Sequence, residues 1–194
     1  YQMMSRFVHG FASLMRADKP TVVKIHGYCV AGGTDIALHA DQIIAAADAK
    51  IGYPPMRVWG VPAAGLWAHR LGDQRAKRLL FTGDCITGAQ AAEWGLAVEA
   101  PEPADLDECT ERLVERIAAM PVNQLIMAKL ACNSALLNSG VAASQMISTV
   151  FDGIARHTPE GHAFVADAGR HGFREAVRHR DEPFGDHGRR TSGV

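Results

Sequence analysis

The chain has 194 residues, 47% of them hydrophobic and 21% charged, with a formal net charge of −1. That is about one domain's worth of ordinary globular composition, long enough to bury a core. The near-zero charge excludes a global field for nucleic acid or an anionic membrane, and no apolar run approaches the roughly 20 residues that span a bilayer. Cys29, Cys85, Cys109 and Cys132 are scattered singly, with no CxxC pair and no His at ligand spacing, so they read as reduced core or pocket thiols in a cytoplasmic protein. No signal peptide is expected, and the start at Tyr1 without a Met reads as a fragment.

Phe7, Phe11, Leu14 and Met15 recur at helical spacing until Lys19-Pro20 stops the helix. Val22, Val23 and Ile25 then form a β-branched run that reads as a buried strand. It breaks at His26-Gly27-Tyr28, passes through Ala31-Gly32-Gly33 and enters a helix carrying Asp35. A strand that feeds a Gly-Gly turn and a helix start leaves backbone N–H groups unpaired and facing outward. Such donors suit a developing negative oxygen, which points to chemistry on a carbonyl. Taken alone, the two glycines also fit a turn chosen for backbone freedom, and Asp35 fits an acid favoured by the dipole of a first helical turn.

A second strand is expected over 42–47, followed by a loop over 49–62 with Pro54, Pro55 and Pro62 as breakers. Pro62 suits the first position of a helix running to Leu71. Residues 73–83 read as a helix ended by Gly83, residues 88–95 as a short helix and 96–100 as a last strand. From Ala104 the pattern is helical, with Leu106, Leu113, Val114, Ile117 and Met120 on one apolar face and Leu125, Ile126, Leu130 and Leu137 on another. Residues 145–154 and 162–168 continue it, and the charged tail after Arg170, with Arg174, Arg178 and Arg180, reads as solvated surface. The organisation is thus a strand–helix section over 1–103 and a helical region over 104–194, with no period that suggests a solenoid. His26, His39, His157, His162, His171, His179 and His187 pair with no Cys or acid in a metal arrangement, so no metal is expected.

The segments KPTVVKIHGY, AGGTDIALHAD, KIGYPP, GVPAAG, HRLG, LLFTGDCITGAQAAEWGLAVE and PEGHAF follow one another from Lys19 to about Phe164. In that order and at those separations they resemble the crotonase family, the enoyl-CoA hydratases and isomerases. The resemblance implies an α/β fold, a spiral of ββα units followed by a C-terminal helical region, assembled as a homo-trimer or hexamer. It implies an acyl-CoA thioester as substrate, with coenzyme A as part of that substrate and no permanently bound cofactor. By motif position Gly32 supplies the second of two N–H donors to the thioester carbonyl. The first comes from a front section of the family that has no counterpart in this sequence.

Asp35 takes the position of a hydratase glutamate that works on water, one methylene shorter. Pro55 stands where the second glutamate supplies a proton, and proline has nothing to titrate, so two-acid hydration is in doubt. Tyr53, Arg57 and His69 are the nearby polar groups. Val30, Ala31, Pro54, Pro55 and Trp59 are the expected substrate-binding positions, with Met56, Val58, Leu66 and Trp67 flanking the same loop. The expected function is an acyl-CoA-processing enzyme of the enoyl-CoA hydratase/isomerase type. Pro55 motivates the alternative, a catalytically impaired acyl-CoA-binding paralogue or scaffold, and an assembly subunit with no ligand is a third reading.

Overall fold

The structure, a computed structural model, describes residues 1–185; His187 and the end of the 104–194 region lie outside them. Helices α1 (Gln2–Phe11) and α2 (Ser13–Arg16) open the chain. The side chains they bury are Val8, Ala12 and Met15, whereas Phe7 is exposed, so the face that meets the core is turned from the one the aromatic spacing suggests.

Strand β1 (Val22–Ile25) forms as its β-branched residues predict. After a turn at Gly27 comes β2 (Tyr28–Val30), three residues that the sequence reads only as a break, and then α3 (Gly32–Ala37). The next turn of the chain repeats the plan: β3 (Gln42–Ala45), β4 (Lys50–Gly52), a 3₁₀ turn over Pro54–Arg57, then α4 (Trp67–Leu71) and α5 (Asp73–Thr82). β5 (Cys85–Thr87) and α6 (Gly88–Glu93) follow. β1 pairs in parallel with β3, Val22 opposite Gln42, and β2 in parallel with β4, Tyr28 opposite Lys50, while β5 lies antiparallel on β4. Each ββα unit therefore lays its strands on the equivalent strands of the unit before, which is the expected α/β spiral.

Three expectations are corrected. The stretch 49–62, read as a loop, holds β4 and the 3₁₀ turn, because β2 and β5 on either side offer Lys50–Gly52 a ladder. No helix starts at Pro62, because Gly65 at φ 63° turns the chain and α4 begins only at Trp67. Residues 96–100 do not form a strand. They run beside β3 through Val98 N–H to Ile43 C=O (2.8 Å), Ala45 N–H to Glu99 C=O (3.2 Å) and a single bridge from Ile44 to Glu99. Contact continues through Ala47 N–H to the Pro101 carbonyl (2.8 Å), but Pro101 and Pro103 have no N–H to return, so no regular strand forms.

The core is made by residues such as Ile25, Ile44, Ile51, Leu66, Trp67 and Leu79. β3 is buried along Ile43–Ala45, as strands covered on both faces are. The helical region comprises α7 (Leu106–Ala118), α8 (Val122–Asn138), α9 (Val141–Ala155), α10 (Pro159–His171) and α11 (Phe173–Asp181). Lys129 of α8 ties it to the spiral: its buried ammonium pairs with Asp41 (2.8 Å) and donates to the carbonyls of Leu14 and Lys19 (3.0 Å each). Of the tail arginines expected to be solvated, Arg180 is instead nearly buried and forks onto Asp181 at 2.7 Å. Among the described residues no single helix is long and apolar enough to cross a membrane.

The closest approach in the spiral is at Gly88, where an added Cβ would fall 1.9 Å from the Ala46 carbonyl oxygen. Gly88→Ala is expected to destabilise the fold by about 1–3 kcal/mol through overpacking, read as a lower denaturant midpoint at unchanged slope.

Candidate active site

The turn from β2 into α3 sets the site. Ala31 has φ 54° and ψ −125°, the one positive-φ non-glycine among the described residues, in a region that side chains rarely occupy. Its carbonyl accepts the N–H groups of Thr34 (2.9 Å) and Asp35 (3.2 Å). The N–H groups of Gly32 and Gly33, both exposed, are left over at the start of the helix. Ala31 N–H donates to Gly52 C=O at 3.3 Å, so the turn is anchored to β4.

Asp35, one helical turn on, is 2% exposed. Oδ1 accepts from Ala64 N–H at 3.2 Å, and the carboxyl also meets the Tyr53 hydroxyl and the Ala63 N–H. Burial outweighs these donors and pushes its pKa up to about 7, with the negative charge of Asp152 adding to the rise. Tyr53 is itself buried, and burial next to the two acids raises its pKa too; its hydroxyl donates to Val61 C=O at 3.3 Å. His39 lies behind Asp35, fully buried. Its Nδ1 is 2.6 Å from the Asp35 carbonyl oxygen and must carry the proton, which leaves Nε2 to accept from the Gln145 amide at 3.0 Å. Burial lowers its pKa, consistent with a neutral ring.

Of the three polar groups near Pro55, only Tyr53 reaches Asp35. The Arg57 guanidinium is 2% exposed and engaged elsewhere: it donates to Thr82 C=O (3.2 Å), Asp181 (3.0 Å) and Asp84 (3.3 Å) and lies 4.1 Å from the centre of the Phe184 ring. His69 is held by the hydroxyls of Ser139 and Ser144, 3.0 Å each. Pro54 begins the 3₁₀ turn, and the Pro55 carbonyl accepts from Val58, Trp59 and Gly60. Val30 pairs with Gly52. Trp59 stacks on Phe164 (5.2 Å between ring centres) beneath the Arg156 guanidinium (4.7 Å).

The residues missed by sequence reasoning are on α9. Asp152, fully buried, accepts from Val61 N–H at 3.2 Å and from Arg156 at 3.0 and 3.3 Å. A signal was present: Asp152 is the single acid between Glu115 and Glu160, in a helix whose other residues are uncharged. Away from this site, Asp167, His171 and His179 gather their donor atoms within 4.8 Å of one another. Both Nδ1 atoms are engaged with Asp167 oxygens, at 2.7 and 2.9 Å, and these bonds lower the Asp167 pKa.

Stacked parallel ββα units with an open N–H pair beside a buried acid define a crotonase-type fold. The enoyl-CoA hydratase/isomerase family model matches residues 2–180, and the chain belongs to that family. A crystal structure of an enoyl-CoA hydratase from Mycobacterium smegmatis is 91% identical with a TM-score of 0.98, covering 100% of this chain and 67% of that one. A "Probable enoyl-CoA hydratase" of Rhizobium meliloti (strain 1021) is 29% identical over 136 residues, 69% of this chain and 53% of that protein. A (7aS)-7a-methyl-1,5-dioxo-2,3,5,6,7,7a-hexahydro-1H-indene-carboxyl-CoA hydrolase of Rhodococcus jostii (strain RHA1) is 29% identical over 123 residues, 63% of this chain and 48% of that protein. The chain spans about half the length of the curated relatives it matches.

Two outcomes follow. The unfolded chain releases the Asp35 proton near 3.8 and the folded chain holds it to about 7, so stability is full below 3.8 and is lost as pH rises through 7. Asp35→Asn has no such loss. Above neutral pH it is expected to be more stable than the parent by on the order of 2 kcal/mol, the gain vanishing in acid, as read by thermal melts across pH. Arg57→Ala removes one of the two cations on Asp181 together with the guanidinium's bonds to Asp84 and the Thr82 carbonyl, and should cost about 3 kcal/mol in chemical denaturation.

Proposed function

We propose that this chain carries the acid–base part of an acyl-CoA thioester-processing site of the enoyl-CoA hydratase/isomerase type. Gly32 N–H is one donor to the thioester carbonyl and Asp35 is the base. The observation that carries this reading is a buried carboxyl with a pKa of about 7, one helical turn from an open N–H at a strained backbone. A thioester carbonyl seated on that N–H has its α-proton made acidic. Asp35 as carboxylate takes the proton, the electron pair moves into the carbonyl, and the N–H stabilises the enolate oxygen. Return of the proton to another carbon of the acyl chain completes an isomerisation with this single acid.

Hydration asks for water activation and carbon protonation together, and Pro55 supplies no second acid, so a proton shift is the favoured reaction. Val30, Ala31, Pro54, Pro55 and Trp59 would line the acyl-binding surface, with coenzyme A entering only as part of the substrate. The second reading, an acyl-CoA-binding paralogue without turnover, rests on the same Pro55.

Assayed against a panel of enoyl-CoA and acyl-CoA thioesters, the protein is expected to turn over at least one, with a rate that rises with pH through about 7 as Asp35 ionises. Asp35→Ala should lower kcat by roughly a hundredfold or more. Tight thioester binding by calorimetry without turnover would favour the paralogue instead, and full activity in Asp35→Ala would remove Asp35 as base. Exposed apolar residues on α8 and α9, among them Met127, Leu130, Leu137, Met146 and Phe151, support a homo-trimer or hexamer. Sedimentation at the monomer mass would overturn that assembly.

A further inference from the structure

We propose that Asp152 is a positioning residue for Asp35, acting from α9 through the backbone of residues 61–64; this rests on the reading of Asp35 as the acid–base group. Asp152 cannot itself stand in for the missing second acid. One of its oxygens accepts from Val61 N–H (3.2 Å), the other from Arg156 Nε and Nη2 (3.3 and 3.0 Å), and the side chain is fully enclosed.

What it holds is the segment that gives Asp35 its donors. Val61 N–H goes to Asp152 while Val61 C=O takes the Tyr53 hydroxyl, the same hydroxyl that meets the Asp35 carboxyl. Ala63 C=O accepts from Thr149, one turn before Asp152 on α9, at 3.3 Å. The next residue, Ala64, donates its N–H to Asp35. Gly65 closes the segment at φ 63°, so tightly against α9 that an added Cβ would lie 2.6 Å from the Ser144 carbonyl oxygen. At the other end Arg156, the partner of Asp152, covers Trp59. Residues 59–65 contain no regular helix or strand of their own, so α9 supplies the bonds that a ladder would otherwise supply. A shift of that segment moves the Tyr53 hydroxyl and the Ala64 N–H together, and reacting groups tolerate little misplacement.

Asp152 also acts through charge. The titratable and charged groups around Asp35 are Tyr53 at the start of the 3₁₀ turn, Asp152 on α9 with Arg156 at its end, and neutral His39 just past the end of α3 with Arg70 beyond it. Removing the anion at 152 leaves Arg156 unpaired and favours the ionised form of Asp35. Removing Arg156 leaves the Asp152 anion uncompensated and disfavours it. The two changes therefore push Asp35 in opposite directions, although both break the same ion pair. A purely structural contact predicts no such opposition.

The test is the titration of Asp35, followed by carboxyl-carbon NMR of aspartate-labelled protein and assigned with Asp35→Asn. In Asp152→Asn the midpoint is expected to fall by roughly one pH unit, and in Arg156→Gln to rise by roughly half a unit or more. In a turnover assay Asp152→Asn should lower kcat about tenfold with little change in KM. The same Asp35 midpoint in the parent and both variants would overturn the proposal, and so would shifts of the same sign. Arg156 is partly exposed, so Arg156→Gln keeps the test open should Asp152→Asn fail to fold. Opposite NMR shifts in a parent that turns over no thioester would leave this coupling standing and count against the reading of the site as an enzyme.

Discussion

A carboxyl group placed out of water must be given hydrogen-bond donors or keep its proton, and much of this structure is arranged around that requirement at Asp35. The acid arrives at its buried position because the chain turns sharply at Ala31, in a backbone conformation that costs free energy. Its donors come from a second stretch, Tyr53 and Ala63–Ala64, brought alongside because β2 and β4 pair in parallel with Val30 opposite Gly52. That stretch is in turn fixed by α9. Strands β1–β5 end at Thr87 and α7–α11 begin at Leu106, yet the candidate site draws on both stretches: Asp35 lies in the first, and Asp152, which binds the Val61 N–H beside it, in the second.

Much of this was legible in the sequence where the signal is local. The β-branched run at Val22–Ile25, the glycine stop at Gly83 and the helix carrying Asp35 behave as their residues dictate. β2, β4 and β5 are three residues each, too short for alternation to register, and they exist because the neighbouring unit offers them a ladder. The spiral left no repeat in the sequence for a related reason: Val22 over Gln42 and Tyr28 over Lys50 share a register and a hydrogen-bonding need, not a residue type. The segment 96–100 reads as a strand by composition and runs beside β3 as far as Pro101, whose missing N–H keeps a regular ladder from forming. Pro62 carries a good helix-start signal that the positive φ of Gly65 overrides.

The candidate site divides along the same line. Gly32 and Asp35 are close in sequence, so their juxtaposition follows from one turn of helix. Tyr53 lies 18 residues beyond Asp35 and Asp152 another 99 beyond that, and no spacing rule connects them. The clue to Asp152 was thermodynamic: a lone acid on an otherwise uncharged helix must be exposed, paired or costly, and here Arg156 one turn on and the Val61 N–H make it paired. Arg57 shows the opposite case. It is a polar group two residues after Pro55 in the sequence, and in the structure a guanidinium with two acids and a backbone carbonyl around it is a brace between the 3₁₀ turn and α11.

With Pro55 mute and Arg57 engaged, the groups able to move a proton beside Asp35 reduce to the Tyr53 hydroxyl. That hydroxyl has one proton and two acceptors, the Asp35 carboxyl and the Val61 carbonyl. With Asp35 ionised, Tyr53 can turn its proton to the carboxylate. With Asp35 protonated, Tyr53 can give its proton to Val61 and accept from the acid. The Asp35 carboxyl is then hydrogen-bonded to Tyr53 in both protonation states without a backbone shift, the Val61 carbonyl giving up the hydroxyl when Asp35 is ionised. A carboxyl raised to about 7 and served equally in its two forms suits a residue that takes a proton and gives it back. Two-acid hydration would use the same carboxyl to take a proton from water, and it would need a second acid to protonate carbon, which Pro55 cannot be.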